Sequence, residues 1–398
     1  MTVPTDSPNR DHDSRQGSAV LAAQGPVRAD GGGGGRRSLL PDRALGTSLD
    51  LERLRGDIDA HLARFLDLKS SGDSAARDGV FPRDLVEVLR AFLLSGGKRI
   101  RPVLCVIGHV AATGGVSGPL LRAAASLEMF HAVALVHDDV IDDSGTRRGR
   151  PTVHRTLAAR NSGRPDANRL GVNAAILLGD LALVWSGELL HTAGLAPRQL
   201  MDALAVTDAM RTEVIYGQYL DVVTTGPPTT ETARALKVCR YKTAKYTFER
   251  PLHLGAVLAG APTSLLATFS GYALPVGEAF QLRDDLLGTF GDPAVTGKPR
   301  LDDLRDGKNT VLLTLAMQRA DPSQQRVLHT LVGVPSLDES DAARIRRILE
   351  ATGARTAVER LIHTRREQAL HALEAVSLPA PAEDALRQIA SATTVRTA

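Results

Sequence analysis

After Thr47 the apolar residues recur at three- and four-residue steps almost to the end of the chain. Leu51, Leu54, Ile58, Leu62 and Phe65 form the first stripe, with Ser48 placed to cap its start. The same period runs through 83–95, 118–143, 171–193, 197–221, 231–249, 276–290, 309–319, 340–351 and 355–376. A repeat near 3.6 residues gives each segment one apolar face, and those faces need a shared interior. Alternating strand patterns bounded by turns are essentially absent, and no short-period repeat is present. The pattern predicts a single all-α domain over 46–398, built of roughly ten or more helices.

Residues 1–45 break this pattern. They are rich in Gly, Ser, Asp, Arg and Pro, include the run Gly31 to Gly35, and have too little apolar surface to offset the entropy of ordering. A disordered tail is expected there. No apolar core follows Arg36-Arg37, which argues against a signal peptide, and Asp6, Asp11, Asp13, Asp30 and Asp42 argue against a transit peptide. The glycine run does not end in Gly-Lys-Ser/Thr and is not a phosphate loop.

Composition narrows the classes further. Hydrophobic residues make up 43% of the chain, which is globular, and no apolar run approaches the roughly 20 residues of a membrane span. A formal charge of +3 with 4% aromatic residues makes no case for nucleic acid. Cys105 and Cys239 have neither metal-ligand spacing nor the look of a disulfide framework, so a reduced, cytoplasmic setting is expected.

The chemistry concentrates in His137-Asp138-Asp139-Val140-Ile141-Asp142-Asp143, followed by Arg147-Arg148-Gly149. On a helix Asp138 and Asp142 share a face, with Asp139 alongside. Carboxylates that close repel unless cations separate them, and all-oxygen ligation suits a hard ion such as Mg²⁺ shared with substrate phosphates. The neighbouring arginines suit the same polyanion. A second acidic pair, Asp284-Asp285, follows Phe280-Gln281 and again tops an apolar stripe, with Asp292 beyond it. A solvated helix end imitates either pair alone, but facing helices in a bundle commonly build metal sites from such carboxylates. Basic residues gather in Gly96-Gly97-Lys98-Arg99-Ile100-Arg101-Pro102, in Lys242-Thr243, in Gly297-Lys298 and in the segment from Asp303 to Lys308. Pro102 is suited to open a helix.

Taken together and in this order, these motifs, with Glu128-Met129-Phe130-His131 and Gly217-Gln218, resemble the all-trans polyprenyl diphosphate synthases over residues 83–310. Within that family the chain looks most like an actinobacterial-type geranylgeranyl diphosphate synthase. The resemblance implies an isoprenoid-synthase helical bundle around a central cavity, commonly as a homodimer. It implies a prenyltransferase that joins isopentenyl diphosphate to an allylic diphosphate through ionisation, condensation and proton loss. The implied Mg²⁺ ligands are Asp138, Asp142 and Asp284, for three ions per site with substrate bound, and Asp139 and Asp285 belong to the same catalytic boxes. Arg147, Lys242, Thr243, Gln281, Lys298 and Lys308 are carried over to the allylic diphosphate. Lys98, Arg101, His131 and Arg148 are carried over to a metal-free site for isopentenyl diphosphate. The segment from 291 to 308 is expected to close over the site.

One position departs from the family pattern: Gly288 stands where the second box commonly has a third aspartate. Product length should be ruled along the helix beneath Asp138. One turn rises about 5.4 Å, roughly an isoprene unit. Val133 and Ala134 one turn down are small, and Phe130 about two turns down is the next bulky residue, so a C20 product is expected, with C15 or C25 and longer as alternatives. His137 is expected to be structural. A class I terpene cyclase would share the acidic box but needs an aromatic pocket and has no use for Lys98 and Arg101. A non-catalytic partner subunit would have lost acidic or basic site residues, and only Gly288 points that way.

Overall fold

The computed structural model describes residues 43–44, 48–70, 83–291 and 301–394, all within one unit running from Leu39 to Ala398. The expected tail therefore falls almost wholly outside the described residues, as do Asp292 and Lys298.

The helices run α1 (Leu51–Ser70), α2 (Arg83–Leu93), α3 (Ile100–Thr113), α4 (Gly118–Ile141), α5 (Val153–Arg160), α6 (Ala167–His191), α7 (Pro197–Thr224) and α8 (Thr232–Val238). α8 continues without a break into a π-helical segment, Cys239–Glu249, and then into α9 (Arg250–Leu258). α10 (Thr263–Phe290), α11 (Asp302–Asp306), α12 (Val311–Arg319), α13 (Pro322–Leu331), α14 (Glu339–Ala351), α15 (Ala354–Glu374) and α16 (Ala380–Thr394) complete the order. Strand structure among the described residues is confined to two small antiparallel pairs. β1 (Arg43–Ala44) lies against β2 (Gly115–Val116), and β3 (Thr146–Arg147) against β4 (Arg150–Pro151). The all-α expectation holds.

α4 packs on α3 and α6, α3 on α9, and α10 on α15 and the π-helical segment. The larger core buries Leu104, Ile107, Leu127, Phe248, Phe269 and Tyr272 completely. Each such side chain contributes about 1.5–3 kcal/mol by leaving water. A second core gathers Leu286, Val311, Leu312, Leu328, Ile345 and Val358, and it holds α11 and α12 against the end of α10.

Several elements differ from the pattern reading. α1 is capped by Asp50, not Ser48: Asp50 Oδ1 accepts the Arg53 amide at 3.0 Å. α10 starts at Thr263, not 276, and carries Pro275 in its interior. Its Leu265, Phe269, Tyr272 and Val276 are all buried, so packing overrides the local penalty of the proline. α3 and α9, most of whose residues are buried, lie outside the stripes read from the sequence, as do α5, α13 and α16.

Two helices bear on the expectation that no segment spans a membrane, and neither makes a clear transmembrane segment. α4 and α6 are both long and apolar enough to cross a bilayer by length and composition. In α4, 72% of the apolar window is buried inside the bundle, which marks a core helix; in α6 only 39% is. The uncovered face of α6 carries Ile176, Leu177, Leu183 and Val184.

Candidate active site

The first acidic box occupies the last turn of α4. Asp138 and Asp139 lie within the helix and Asp142 caps it, its amide bonding back to the Asp138 carbonyl. The chain then enters a hairpin whose register pairs Arg147 with Arg150. Its two-residue turn, Arg148-Gly149, has positive φ at both positions, the geometry that matches strand twist in tight hairpins. This turn brings Arg147 back to the box, where Nε donates to Asp139 Oδ1 at 2.7 Å and Nη2 lies 3.4 Å from Asp138 Oδ2.

Lys242 reaches the box from the π-helical segment. Its Nζ donates to Asp138 Oδ1 at 3.0 Å and to Asp221 Oδ2 at 2.7 Å, while Gln218 Nε2 adds a further 3.0 Å bond to Asp138 Oδ1. α7 approaches Lys242 this closely because residue 217 is glycine; a Cβ there would run into the Lys242 backbone. Lys308, on the loop after α11, donates to Asp142 Oδ2 at 2.7 Å. Burial opposes its charge, yet the carboxylates of Asp303, Asp142, Asp221 and Asp138 hold the Lys308 ammonium well above its ordinary pKa. Lys308 therefore stands between the two acidic clusters. Burial likewise pushes Asp138 upward, but Lys242, Lys308 and Arg147 together bring it below the usual carboxylate value. Asp139 goes the other way: it is wholly buried and raised by that burial despite Arg147, and its Oδ2 has no partner.

The second box ends α10. Gln281 links it to the π-helical segment, accepting from Thr243 Oγ1 at 2.6 Å and donating to Asp285 Oδ1 at 2.7 Å. Burial, with the Asp303, Asp284 and Asp221 carboxylates adding to it, pushes Asp285 up to about 8 against the opposing Gln281 bond. Asp284 is half-buried beside it. At Gly288 a Cβ would meet Asp303 Oδ2 at 2.7 Å, so the Asp303 carboxylate fills the space that a third acidic side chain would need. Asp303 and Asp221 are the acidic groups that sequence reasoning left without a role. Asp221 could have been found three residues after Gln218, on the same helix face; Asp303 could be placed only once α11 was seen against α10.

A basic cluster forms beside the first box. Arg148 donates to the Gly96 carbonyl. Arg101 bonds Thr247 Oγ1 at 2.6 Å and stacks 4.2 Å from the Tyr246 ring centre, with its Nε buried and unpartnered. Tyr246 Oη lies 3.3 Å from His131 Nδ1. Burial, then Arg101, Arg148, Arg147 and Arg99, holds His131 well below its ordinary pKa, so the ring is neutral. Lys98 lies in the same loop with its side chain exposed. Arg99 does not belong to this open surface: it is buried between Asp59, 2.7 Å away, and Glu128, 2.8 Å away. Beneath the box, Phe130 and Val133 are buried and Ala134 half-buried, while His137 faces α6 with Nε2 3.2 Å from the Ile176 carbonyl.

The structure thus gathers Asp138, Asp139, Asp142, Arg147, Lys242, Thr243, Gln281, Asp285 and Lys308 into one site, and Arg101, His131 and Arg148 into its neighbour. Among the described residues no three acidic, His or Cys groups converge as a ready-made metal cage. Mg²⁺ is ordinarily held by one or two carboxylates together with substrate phosphates rather than by an all-protein cage. The all-oxygen donor set, the orphaned Asp139 Oδ2 and an Asp285 raised by burial and by its carboxylate neighbours fit such an ion.

Comparison with known proteins agrees with this chemistry. A family model described as Polyprenyl synthetase matches residues 82–351. A solved geranylgeranyl pyrophosphate synthase from Corynebacterium glutamicum, complexed with isoprenyl diphosphate and magnesium, superposes with a TM-score of 0.82. It is 42% identical and the match covers 88% of this chain and 100% of that one. The geranylfarnesyl diphosphate synthase of Aeropyrum pernix is 31% identical over 273 residues, 65% of this chain and 77% of that protein. The (2E,6E)-farnesyl diphosphate synthase of Mycobacterium tuberculosis is 33% identical over 262 residues, 65% of this chain and 68% of that protein.

Proposed function

The chain belongs to the polyprenyl synthetase family and is a prenyltransferase, and from that premise we propose that it elongates an allylic diphosphate with isopentenyl diphosphate to geranylgeranyl diphosphate, C20. Relatives of similar identity are named for products of different lengths, so family alone does not choose among them. The observation that carries the reading is the juxtaposition of two anion sites of opposite construction. One has carboxylates interleaved with Lys242, Lys308 and Arg147. The other has Arg101, Arg148 and neutral His131 grouped together.

The reaction needs both. At the acidic site the allylic C–O bond breaks and its electron pair leaves with the diphosphate. Arg147, Lys242 and Lys308, with Lys298 as the family resemblance implies, meet the negative charge as it develops. Asp138, Asp142 and Asp284 would hold Mg²⁺, three ions per site with substrate bound, and the metal would supply Lewis acidity toward the diphosphate. At the basic site the acceptor's diphosphate must stay attached. Lys98, Arg101, Arg148 and His131 hold it by hydrogen bonds and charge. The acceptor double bond then attacks the allylic carbon, a C–C bond forms, and the adjacent proton goes to the released diphosphate. Gln281, fixed between Thr243 and Asp285, orients the acidic side. The polypeptide from residue 46 onward forms the catalytic domain.

The test is incubation of purified protein with isopentenyl diphosphate, farnesyl diphosphate and Mg²⁺, followed by chromatography of the dephosphorylated products. C20 alcohol is expected. Diphosphate release without elongation would indicate a cyclase, and absence of any turnover a non-catalytic subunit. The working form is a homodimer, a reading supported by the exposed apolar residues Leu177, Val184, Met201, Ile215, Tyr219 and Val222 on α6 and α7. Light scattering should give twice the chain mass, and Leu177→Glu with Ile215→Glu should halve it.

A further inference from the structure

Three side chains on different helices meet well beneath the acidic end of α4. Phe130 precedes Asp138 by eight residues and Arg211 precedes Gln218 by seven, depths of roughly 12 and 10 Å at 1.5 Å per residue. The Gln218–Asp138 bond ties α4 and α7 at the top, so the two depths describe one level. At that level the Arg211 guanidinium sits over the Phe130 ring, 5.5 Å from its centre. Tyr246 meets the same ring edge-on at 5.9 Å. Arg211 is anchored through Nη2 to Ser186 Oγ on α6 at 3.1 Å and pairs with Asp208 at 3.6 Å, and its Nε is buried without a partner.

We propose that Arg211 is a product-length-determining residue, whose guanidinium, seated on Phe130 and tied to Ser186, closes the hydrocarbon path at this depth. The inference rests on the elongation reading above. Phe130 alone is a weak barrier, because an aromatic side chain can change rotamer to admit a longer tail. A guanidinium on its face holds the ring by cation–π attraction. A tail passing this level would also lie against a cation that already lacks one hydrogen-bond partner, and hydrocarbon offers none.

The experiment compares the full-length wild type with Arg211→Met, Arg211→Gln, Phe130→Ala and the Phe130→Ala/Arg211→Met pair, all supplied with isopentenyl diphosphate, farnesyl diphosphate and Mg²⁺. Chromatography of the dephosphorylated products reads the ratio of C25 and longer chains to C20. Arg211→Met should raise that ratio roughly tenfold, equivalent to about 1.4 kcal/mol between competing barriers. Arg211→Gln keeps a polar head but not the charge and should raise it less, and the double variant should exceed Phe130→Ala alone. An unchanged distribution in Arg211→Met, with longer products from Phe130→Ala, would overturn the proposal and leave Phe130 as the whole floor. Loss of rate with unchanged lengths would overturn it too. Should Arg211→Met fail to fold, Arg211→Lys keeps a cation without the stacking plane. It should lengthen the product by an intermediate amount, and no change would again overturn the proposal. A wild type that does not elongate at all would instead refute the elongation reading on which this one stands.

Discussion

Replacing Gly288 with aspartate restores the box's usual third carboxylate, and the structure says it will not fit unaided. The new Cβ would stand 2.7 Å from Asp303 Oδ2, and its carboxylate would settle within roughly 4–5 Å of that of Asp303. At an effective dielectric near 20 the repulsion is about 3–4 kcal/mol; partial exposure of both positions reduces it to about 1–2 kcal/mol. The gain in helix propensity over glycine is only about 0.3 kcal/mol, so Gly288→Asp should lose stability in urea unfolding without Mg²⁺. Gly288→Ala separates the steric part. It gains about 1 kcal/mol of propensity against a contact that the end of the Asp303 side chain can relieve by turning, and should be near neutral. The decisive variant is Gly288→Asp with Asp303→Asn, which moves the carboxylate from α11 to α10 at constant charge. It should recover the stability lost by Gly288→Asp. It should also recover the roughly 10-fold or larger loss of kcat expected for Asp303→Asn alone, a loss typical of groups that orient metal ligands. If the double variant is no more stable and no more active than the singles, Asp303 does not stand in for the third acid.

Arg101→Leu should raise KM for isopentenyl diphosphate by roughly 10–100-fold, the worth of a charged hydrogen bond, with a smaller change in kcat and in KM for the allylic substrate; steady-state kinetics with each substrate varied separates these. Val133→Phe should shorten the product to C15, read by chromatography, and persistence of C20 would argue against α4 as the ruler. His131 is held neutral by burial and by the surrounding arginines, whereas the unfolded chain's histidines titrate near 6.5. Below that pH the unfolded state takes up a proton that the folded ring refuses, so stability is full above pH 6.5 and falls by about 1.4 kcal/mol per pH unit below it. His131→Gln should flatten the unfolding free energy between pH 6.5 and 5 by that slope.

Most of the site was legible because its groups come in local pairs. Asp138 with Asp142, Arg147 with Arg148 and Lys242 with Thr243 need only a helix or a tight hairpin to arrive together. What stayed hidden depended on pairings remote in sequence. Asp303 gains meaning only against Gly288, and Asp221 only against Lys242. Arg211 carries no local signal, because its partners Phe130 and Ser186 lie on other helices. The fold showed the same division. Long helices such as α1, α6 and α15 announced themselves, while the shorter α5, α9 and α13, together with α3 and α16, were not read from the pattern, and Pro275 hid the first half of α10.

The two lysines on the acidic boxes have a thermodynamic consequence. Asp138 and Asp142 already carry ammonium groups of their own chain, so a divalent cation arriving alone must evict Lys242 or Lys308 into a carboxylate-lined space with no new anion to receive it. A diphosphate arriving alone meets ammoniums already engaged. Each entrant supplies what the other displaces, since phosphate oxygens accept the freed lysines and the cation takes the freed carboxylates. Metal and diphosphate should therefore bind with positive cooperativity, each raising the affinity of the other by the same factor.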